Sequence, residues 1–113
     1  MAELFKFDSA HTTGMNLTCK IIKGKFLGDA STEYEVWLDT VGAGGERFTE
    51  PVKYTTSDQG SVACELPIME CKGADAKTGL MEARVNALCK KTAPGSATAE
   101  LSRRSVRYCC SKE

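Results

Sequence analysis

Apolar and polar residues alternate along most of this chain, which is the pattern of β-strands that bury one face. The clearest run is 34–39, where Tyr34, Val36 and Leu38 occupy one face and polar residues or tryptophan occupy the other. Because successive side chains of a strand point to opposite faces, this run predicts a strand with an apolar inner face. Comparable runs predict strands within residues 16–27, 34–39, 48–54, 62–66, 80–91 and 97–110.

Segments rich in glycine, serine, aspartate or proline separate the predicted strands, as expected of hairpin loops. They lie at residues 28–31, 42–45, 57–60 and 93–96. Pro51 lies inside the third run, and proline cannot donate a backbone hydrogen bond to a neighbouring strand. The third run is therefore predicted to be an edge strand, or to be bulged at this residue.

Residues 80–91 admit two interpretations, because they are rich in helix-forming residues and yet alternate like a strand. The apolar residues from Met81 to Cys89 occupy every second position, whereas on a helical wheel Arg84 falls inside the apolar stripe. We therefore predict a strand, with a helix packed on the sheet as the alternative.

The last predicted strand changes frame along its length. Ala99 and Leu101 alternate in one frame, whereas Val106 and Tyr108 alternate in the other. A β-bulge near residues 103–104 explains this change. The pattern as a whole predicts an all-β fold, an antiparallel β-sandwich or barrel of about six strands stabilised by disulfides.

Residues 1–14 show no comparable pattern, and they carry serine, threonine and glycine just before the first clear strand. They are predicted to be a flexible or vector-derived segment that contributes little to stability. Residues 15–113 are predicted to form a single domain, since a chain of 113 residues supplies the core of one domain and not of two.

Six cysteines in 113 residues exceed cytosolic usage and form an even set, which predicts disulfides and an oxidising compartment. Their spacing does not fit paired zinc knuckles, so no metal or other cofactor is expected. Asn16 begins a glycosylation sequon, which agrees with secretion. The cysteines predicted to be oxidised are Cys19, Cys64, Cys71, Cys89, Cys109 and Cys110.

Strand alternation also predicts how the cysteines pair. Cys109 shares a face with Arg107, opposite to Cys110, so these two neighbours are predicted to have different partners. We predict a peripheral Cys71–Cys109 bridge, with the other four cysteines paired in the core. A Cys64–Cys71 bond would instead close a rigid loop of the kind that protease inhibitors present to their targets.

Trp37 is the first candidate for binding, because it lies between Glu35 and Asp39 on the polar face of its strand. An exposed tryptophan flanked by polar groups is typical of a binding hot spot, unless a second layer covers it. The second candidate is a basic cluster that would suit an anionic partner, or that simply protects an edge strand by charge. Its residues are Arg103, Arg104 and Arg107, with Lys90 and Lys91.

Catalysis is not expected from this sequence. His11 is the single histidine and lies in the N-terminal segment, so a held catalytic histidine is missing. Glu33, Glu35 and Asp39 could serve a glycosidase-type mechanism, but a solvated strand face explains them more simply.

Charge and hydropathy restrict the classes of partner that this chain is expected to bind. Lys plus Arg and Asp plus Glu both number 15, so no strong field draws the chain to nucleic acid, and no membrane-spanning stretch occurs. We predict a small secreted, non-enzymatic binding protein that recognises a protein or anionic glycan. Its plan is similar to that of small secreted effector, elicitor or defence proteins, including fungal ones. The alternatives are a protease inhibitor presenting the Cys64–Cys71 loop and a small secreted hydrolase.

Overall fold

The computed structural model describes residues 3–8, 21–41, 46–68 and 80–109, and these form seven β-strands and no helix. The prediction of an all-β fold is confirmed, and residues 80–91 form a strand and not the alternative helix. The strands are β1 (Leu4–Phe7), β2 (Ile21–Leu27), β3 (Glu33–Thr40), β4 (Val52–Thr55), β5 (Ser61–Pro67), β6 (Leu80–Lys91) and β7 (Thr98–Cys109).

The strands form two antiparallel sheets that face each other across one apolar core. The three-stranded sheet has the order β1-β2-β5, and the four-stranded sheet has the order β4-β3-β6-β7. Strand β4, which follows Pro51, is an edge strand, as the proline predicts.

The inner faces follow the alternation of the sequence. Tyr34, Val36 and Leu38 are buried from the four-stranded sheet, and Val36 and Leu38 lie opposite the buried residues Cys89 and Ala87 of β6. The predicted strand face of Tyr34, Val36 and Leu38 is therefore the core face. The core cluster consists of Phe5, Ile22, Phe26, Tyr34, Val36, Leu38, Phe48, Cys64, Leu66, Val85, Ala87 and Cys89.

Strand β1 lies within residues 1–14, and the prediction of a flexible segment there does not hold for Leu4–Phe7. Phe5 is 1% exposed, pairs across the sheet with Phe26 and meets the ring of Phe7 edge-on at 4.9 Å. A Cβ atom at Gly24 would lie 2.4 Å from Phe5 Cζ, so this strand glycine makes room for the ring. An alternation of four residues is too short to be recognised in the sequence as a strand. Strand β1 becomes recognisable in the structure because it pairs with β2.

Two hydroxyl groups join the sheets at opposite edges. Tyr54 Oη accepts a hydrogen bond from the Glu65 N–H at 2.7 Å and donates one to the Glu65 carbonyl at 2.6 Å. At the other edge, Ser102 Oγ donates to the carbonyl of Phe5 at 2.7 Å. Because edge strands otherwise present unpaired backbone groups, these bonds protect β5 and β1 while holding the two layers together.

A β-bulge in β7 decides which of its side chains share a face. Leu88 pairs with Glu100 and Asn86 pairs with Arg103, so β7 places two residues opposite Ala87 alone. The bulge confirms the predicted frame change and lies one or two residues before the predicted position. As a result, Glu100 and Arg103 both stand on the outer face of the four-stranded sheet, although they are three residues apart.

Cys64 and Cys89 have free thiols, and both are buried in the core. The prediction that all six cysteines form disulfides is therefore not met at these two positions, where the inward-facing thiols act as small apolar side chains. Burial raises the pKa of each thiol to about 12. Cys19, Cys71 and Cys110 lie outside the described residues, and Cys109 ends β7.

An ion pair ties the turn after β2 to the end of β6. Lys91 Nζ lies 2.6 Å from Asp29 Oδ2, and both side chains are partly exposed. The hydrogen bond from Lys91 holds the pKa of Asp29 below its usual value, and the bond to Asp29 raises the pKa of Lys91. The Asp29 N–H donates to Tyr34 Oη at 2.9 Å, and burial raises the pKa of this phenol.

Candidate functional site

The outer face of the four-stranded sheet gathers residues from three neighbouring strands. In the pairing of β3 with β6, Trp37 lies opposite Leu88 and Asp39 lies opposite Asn86. Because β6 is paired on its other side with β7, the row continues from Asn86 to Arg103. Side chains that are 64 positions apart in the chain, those of Asp39 and Arg103, thus stand on one surface.

Trp37 points away from the core, as the alternation predicts, but it is not an exposed hot spot. The residue is only 7% exposed, and the Arg47 guanidinium carbon lies 5.3 Å from the centre of its ring. Arg47 reaches this position because it forms a β-bridge with Asp39, two residues along the strand. A cation over an indole is favourable, so Arg47 forms the second layer that covers the tryptophan.

A pocket of about 200 Å³ opens on this face beside Leu88, the cross-strand neighbour of Trp37, and we call it the Asn86 pocket. Its polar side chains come from the three strands β3, β6 and β7, and Leu88 adds apolar surface. The lining residues are Asp39, Thr40, Val41, Asn86, Leu88, Glu100 and Arg103.

Three buried polar atoms on this face have no hydrogen-bond partner: Trp37 Nε1, Asp39 Oδ1 and Asn86 Oδ1. Asn86 is 6% exposed, and its amide nitrogen donates to Glu100 Oε1 at 3.3 Å, which leaves its oxygen unused. Leaving a buried polar group unpaired costs about 1–3 kcal/mol. Native proteins pair most such groups, so three unpaired atoms on one face of a sheet are unusual.

The charges around the Asn86 pocket balance. Asp39 and Glu100 contribute two carboxylates, and Arg103 in the lining and Arg47 over Trp37 contribute two cations. The surface therefore offers both donors and acceptors without a net charge. It suits a ligand that also carries donors and acceptors together.

The structure divides the predicted basic cluster. Arg103 faces outward opposite Asn86, whereas Arg104 lies opposite Val85 and points to the other side of the sheet. Arg107 lies opposite Glu82 in the register, in a part of β7 whose side chains are not described. Adjacent residues of a strand face opposite sides, and the bulge between Glu100 and Arg103 decides that Arg103 and not Arg104 lies in the pocket.

Glu35 shares the outer face but does not line the pocket. It lies between Lys53 of β4 and Lys90 of β6, which are its cross-strand neighbours. Opposite charges in such positions stabilise a sheet, and this explains the glutamate without a ligand. The residues that sequence reasoning missed are Asn86 and Glu100, because neither stands in a motif and only strand register places them beside Asp39.

The disulfide-closed inhibitor loop is not formed at its first cysteine. Cys64 has a free thiol inside the core, and Leu66, one of the two residues proposed for presentation, is completely buried. The second half of the proposed loop, Met69 to Cys71, lies outside the described residues, as do His11 and the sequon residue Asn16. Within β5, Leu66 is therefore a core residue and is not presented at the surface.

Within the described ranges, no group of three or more His, Cys, Asp and Glu side chains is arranged to hold a metal ion. The same residues include no helix that is long and apolar enough to cross a membrane. No protein family, no curated protein and no solved structure matches this chain, so the geometry of the Asn86 pocket carries the functional argument by itself.

Proposed function

We propose that this protein is a non-enzymatic binding protein that recognises its partner at the Asn86 pocket. The observation that carries the proposal is the set of three buried polar atoms without hydrogen-bond partners on one face. A folded protein that tolerates this cost recovers it when a ligand supplies the missing partners. Arg103 at the pocket and Arg47 over Trp37 add charged groups, which are common at binding hot spots.

We also propose that the protein is secreted and that it acts as an effector, elicitor or defence protein. The number of cysteines and the sequon at Asn16 support it. Disulfides are proposed only among the four cysteines other than Cys64 and Cys89, whose thiols are free. These four are Cys19, Cys71, Cys109 and Cys110.

The proposal is tested by capture of partners from host or tissue extracts with matched variants. Arg103→Ala removes a charge from the pocket, and Arg104→Ala removes the same charge from the adjacent exposed residue on the opposite side. We expect Arg103→Ala to lose captured material that wild type and Arg104→Ala both retain. Equal capture by all three proteins would place binding elsewhere and overturn the proposal.

The pocket also favours a second candidate, a small hydrolase, because two carboxylates, Asp39 and Glu100, line it together. Glycosidases use two carboxyl groups, one on each side of the bond that breaks. The test is turnover of 4-nitrophenyl glycosides by wild type, Asp39→Asn and Glu100→Gln. Turnover that both variants lose would make the protein an enzyme, whereas no turnover by wild type favours binding.

A further inference from the structure

The unpaired atoms of the Asn86 pocket restrict the chemistry of its ligand. Asp39 Oδ1 and Asn86 Oδ1 are acceptors that need donors, and the Trp37 Nε1–H on the same face is a donor that needs an acceptor. The exposed Arg103 guanidinium in the pocket lining is a further donor. A hydroxyl group both donates and accepts one or more hydrogen bonds, so neighbouring hydroxyls can serve both kinds of group at once.

Charge excludes the simpler alternatives. An ammonium ligand could donate to Asp39 and Asn86, but it would lie near the cations of Arg103 and Arg47. A carboxylate or sulfate could pair with Arg103, but it would meet Asp39 and Glu100. Because like charges at short range are repulsive in a partly desolvated pocket, a neutral ligand fits better than either ion.

The volume and the lining of the Asn86 pocket further restrict the ligand. At about 200 Å³ the pocket is smaller than the cavities that hold drug-sized molecules, which span about 300–1,000 Å³. Leu88, which is 9% exposed, offers the apolar contact that the C–H face of a sugar ring needs. We infer that the Asn86 pocket binds one neutral pyranose ring of a glycan, with its vicinal hydroxyls on Asp39 and Asn86. This inference rests on the proposed function and replaces the anionic glycan expected from the arginines.

The single tryptophan makes a direct test possible, because the chain has one indole N–H and therefore one such signal in a ¹H–¹⁵N spectrum. The probes are the methyl glycosides of glucose, galactose, mannose and N-acetylglucosamine, titrated into uniformly labelled protein. Glucuronic acid and glucosamine serve as anionic and cationic comparators. We expect at least one neutral glycoside to shift the Trp37 indole and Asn86 amide signals with millimolar affinity.

Variants decide whether the shift reports this pocket. Arg103→Ala and Asp39→Asn are expected to weaken the responding glycoside about ten-fold, the size of a lost hydrogen bond to a charged group. Arg104→Ala is the control and is expected to leave the affinity unchanged. Arg103 is exposed, so its replacement leaves the core and the fold intact.

The outcomes distinguish a wrong ligand from a wrong binding site. If no neutral glycoside shifts these signals, or if only glucuronic acid or glucosamine does, the sugar inference is overturned. If in that case Arg103→Ala still loses captured partners that Arg104→Ala retains, the Asn86 pocket stands as the binding site and its ligand is a protein surface or an ion. A glycoside response that Arg103→Ala and Asp39→Asn both keep would also overturn the inference, because the sugar would then bind elsewhere.

Discussion

The two outer faces of the sandwich both carry polar residues, but these residues differ in how they are solvated. On the three-stranded sheet, Lys6, Lys23 and Lys25 are exposed, and Lys23 pairs with Glu65 at 3.7 Å in open solvent. These lysines line a groove of about 390 Å³, larger than the Asn86 pocket at about 200 Å³. On the four-stranded sheet, by contrast, Trp37 and Asn86 are buried and keep polar atoms without partners.

Unmet hydrogen bonding is a stronger sign of binding than the size of a depression on the surface. Lys6 lies directly opposite Lys25, and like charges in that position repel, but water screens them because their charged ends are exposed. The three unpaired atoms on the four-stranded sheet are themselves buried, so they lack the contact with bulk solvent that the lysine ammonium groups have. The smaller pocket is therefore the better candidate.

If the three-stranded sheet is a full half of the sandwich, removal of one of its buried rings should strongly destabilise the fold. Phe5→Ala removes a ring that is 1% exposed, so we expect a loss of about 3–5 kcal/mol in the free energy of unfolding. Leu4→Ala is the control, since Leu4 is 38% exposed and should change stability by less than about 0.5 kcal/mol. Urea unfolding measures both. Equal stability of the two variants would show that residues 1–14 contribute little to stability, as the sequence predicts.

Among the described residues, Cys64 of the three-stranded sheet and Cys89 of the four-stranded sheet place their thiols in the core, so their reactivity tests both halves of the sandwich. A pKa of about 12 in place of about 9 lowers the thiolate fraction near neutral pH about a thousand-fold. Iodoacetamide at pH 8 should therefore modify neither cysteine until urea unfolds the chain, as peptide mapping would show. Rapid modification of Cys64 alone would mean that the lysine groove opens into the core, and a disulfide at either cysteine would contradict the free thiols.

Replacing a polar residue by leucine should change stability differently on the two outer faces. Asn86→Leu removes a buried unpaired oxygen, so we expect the free energy of unfolding to rise by about 1 kcal/mol while partner binding is lost. The matched change on the other sheet, Lys25→Leu, should stay within about 0.5 kcal/mol of wild type. Thermal and urea unfolding of both variants make the measurement. A clear loss of stability in Asn86→Leu would show that the asparagine supports the fold and not a ligand.

The smallest effect concerns the ion pairs at the surface of each sheet. The pKa of Asp29 is lowered in the folded state by Lys91, so its contribution is present above the unfolded pKa near 4 and is lost as pH falls through the folded value. The raised pKa of Lys91 acts in the opposite direction, and its contribution is lost as pH rises through the folded value.

We therefore expect Asp29→Asn to flatten the acid side of a plot of melting temperature against pH. Glu65→Gln is the matched control on the three-stranded sheet, where the longer contact of 3.7 Å against 2.6 Å predicts a smaller change. An acid limb that Asp29→Asn leaves as steep as in wild type would show that other carboxylates control the acid transition.

Much of the fold follows from local pattern. The runs around Val36, Cys64 and Ala87 are strands with the predicted inner faces, because alternate side chains of a strand point to opposite sides wherever the strand lies. Pro51 marks an edge for an equally local reason, its missing N–H group. The frame change in the last strand predicts its bulge within two residues.

The Asn86 pocket, and the exposure and direction of the side chains around it, depend on tertiary structure. Whether Trp37 is exposed depends on Arg47, which lies ten positions further along the chain. Whether Arg103 or Arg104 faces Asp39 depends on the register of β7 against β6. Strand β1 is likewise too short to be recognised without β2 beside it. Alternation specifies the two sides of each strand, because side-chain direction is a property of the backbone. Which side chains meet across strands depends on pairing and register, and these are set by contacts between residues distant in the chain.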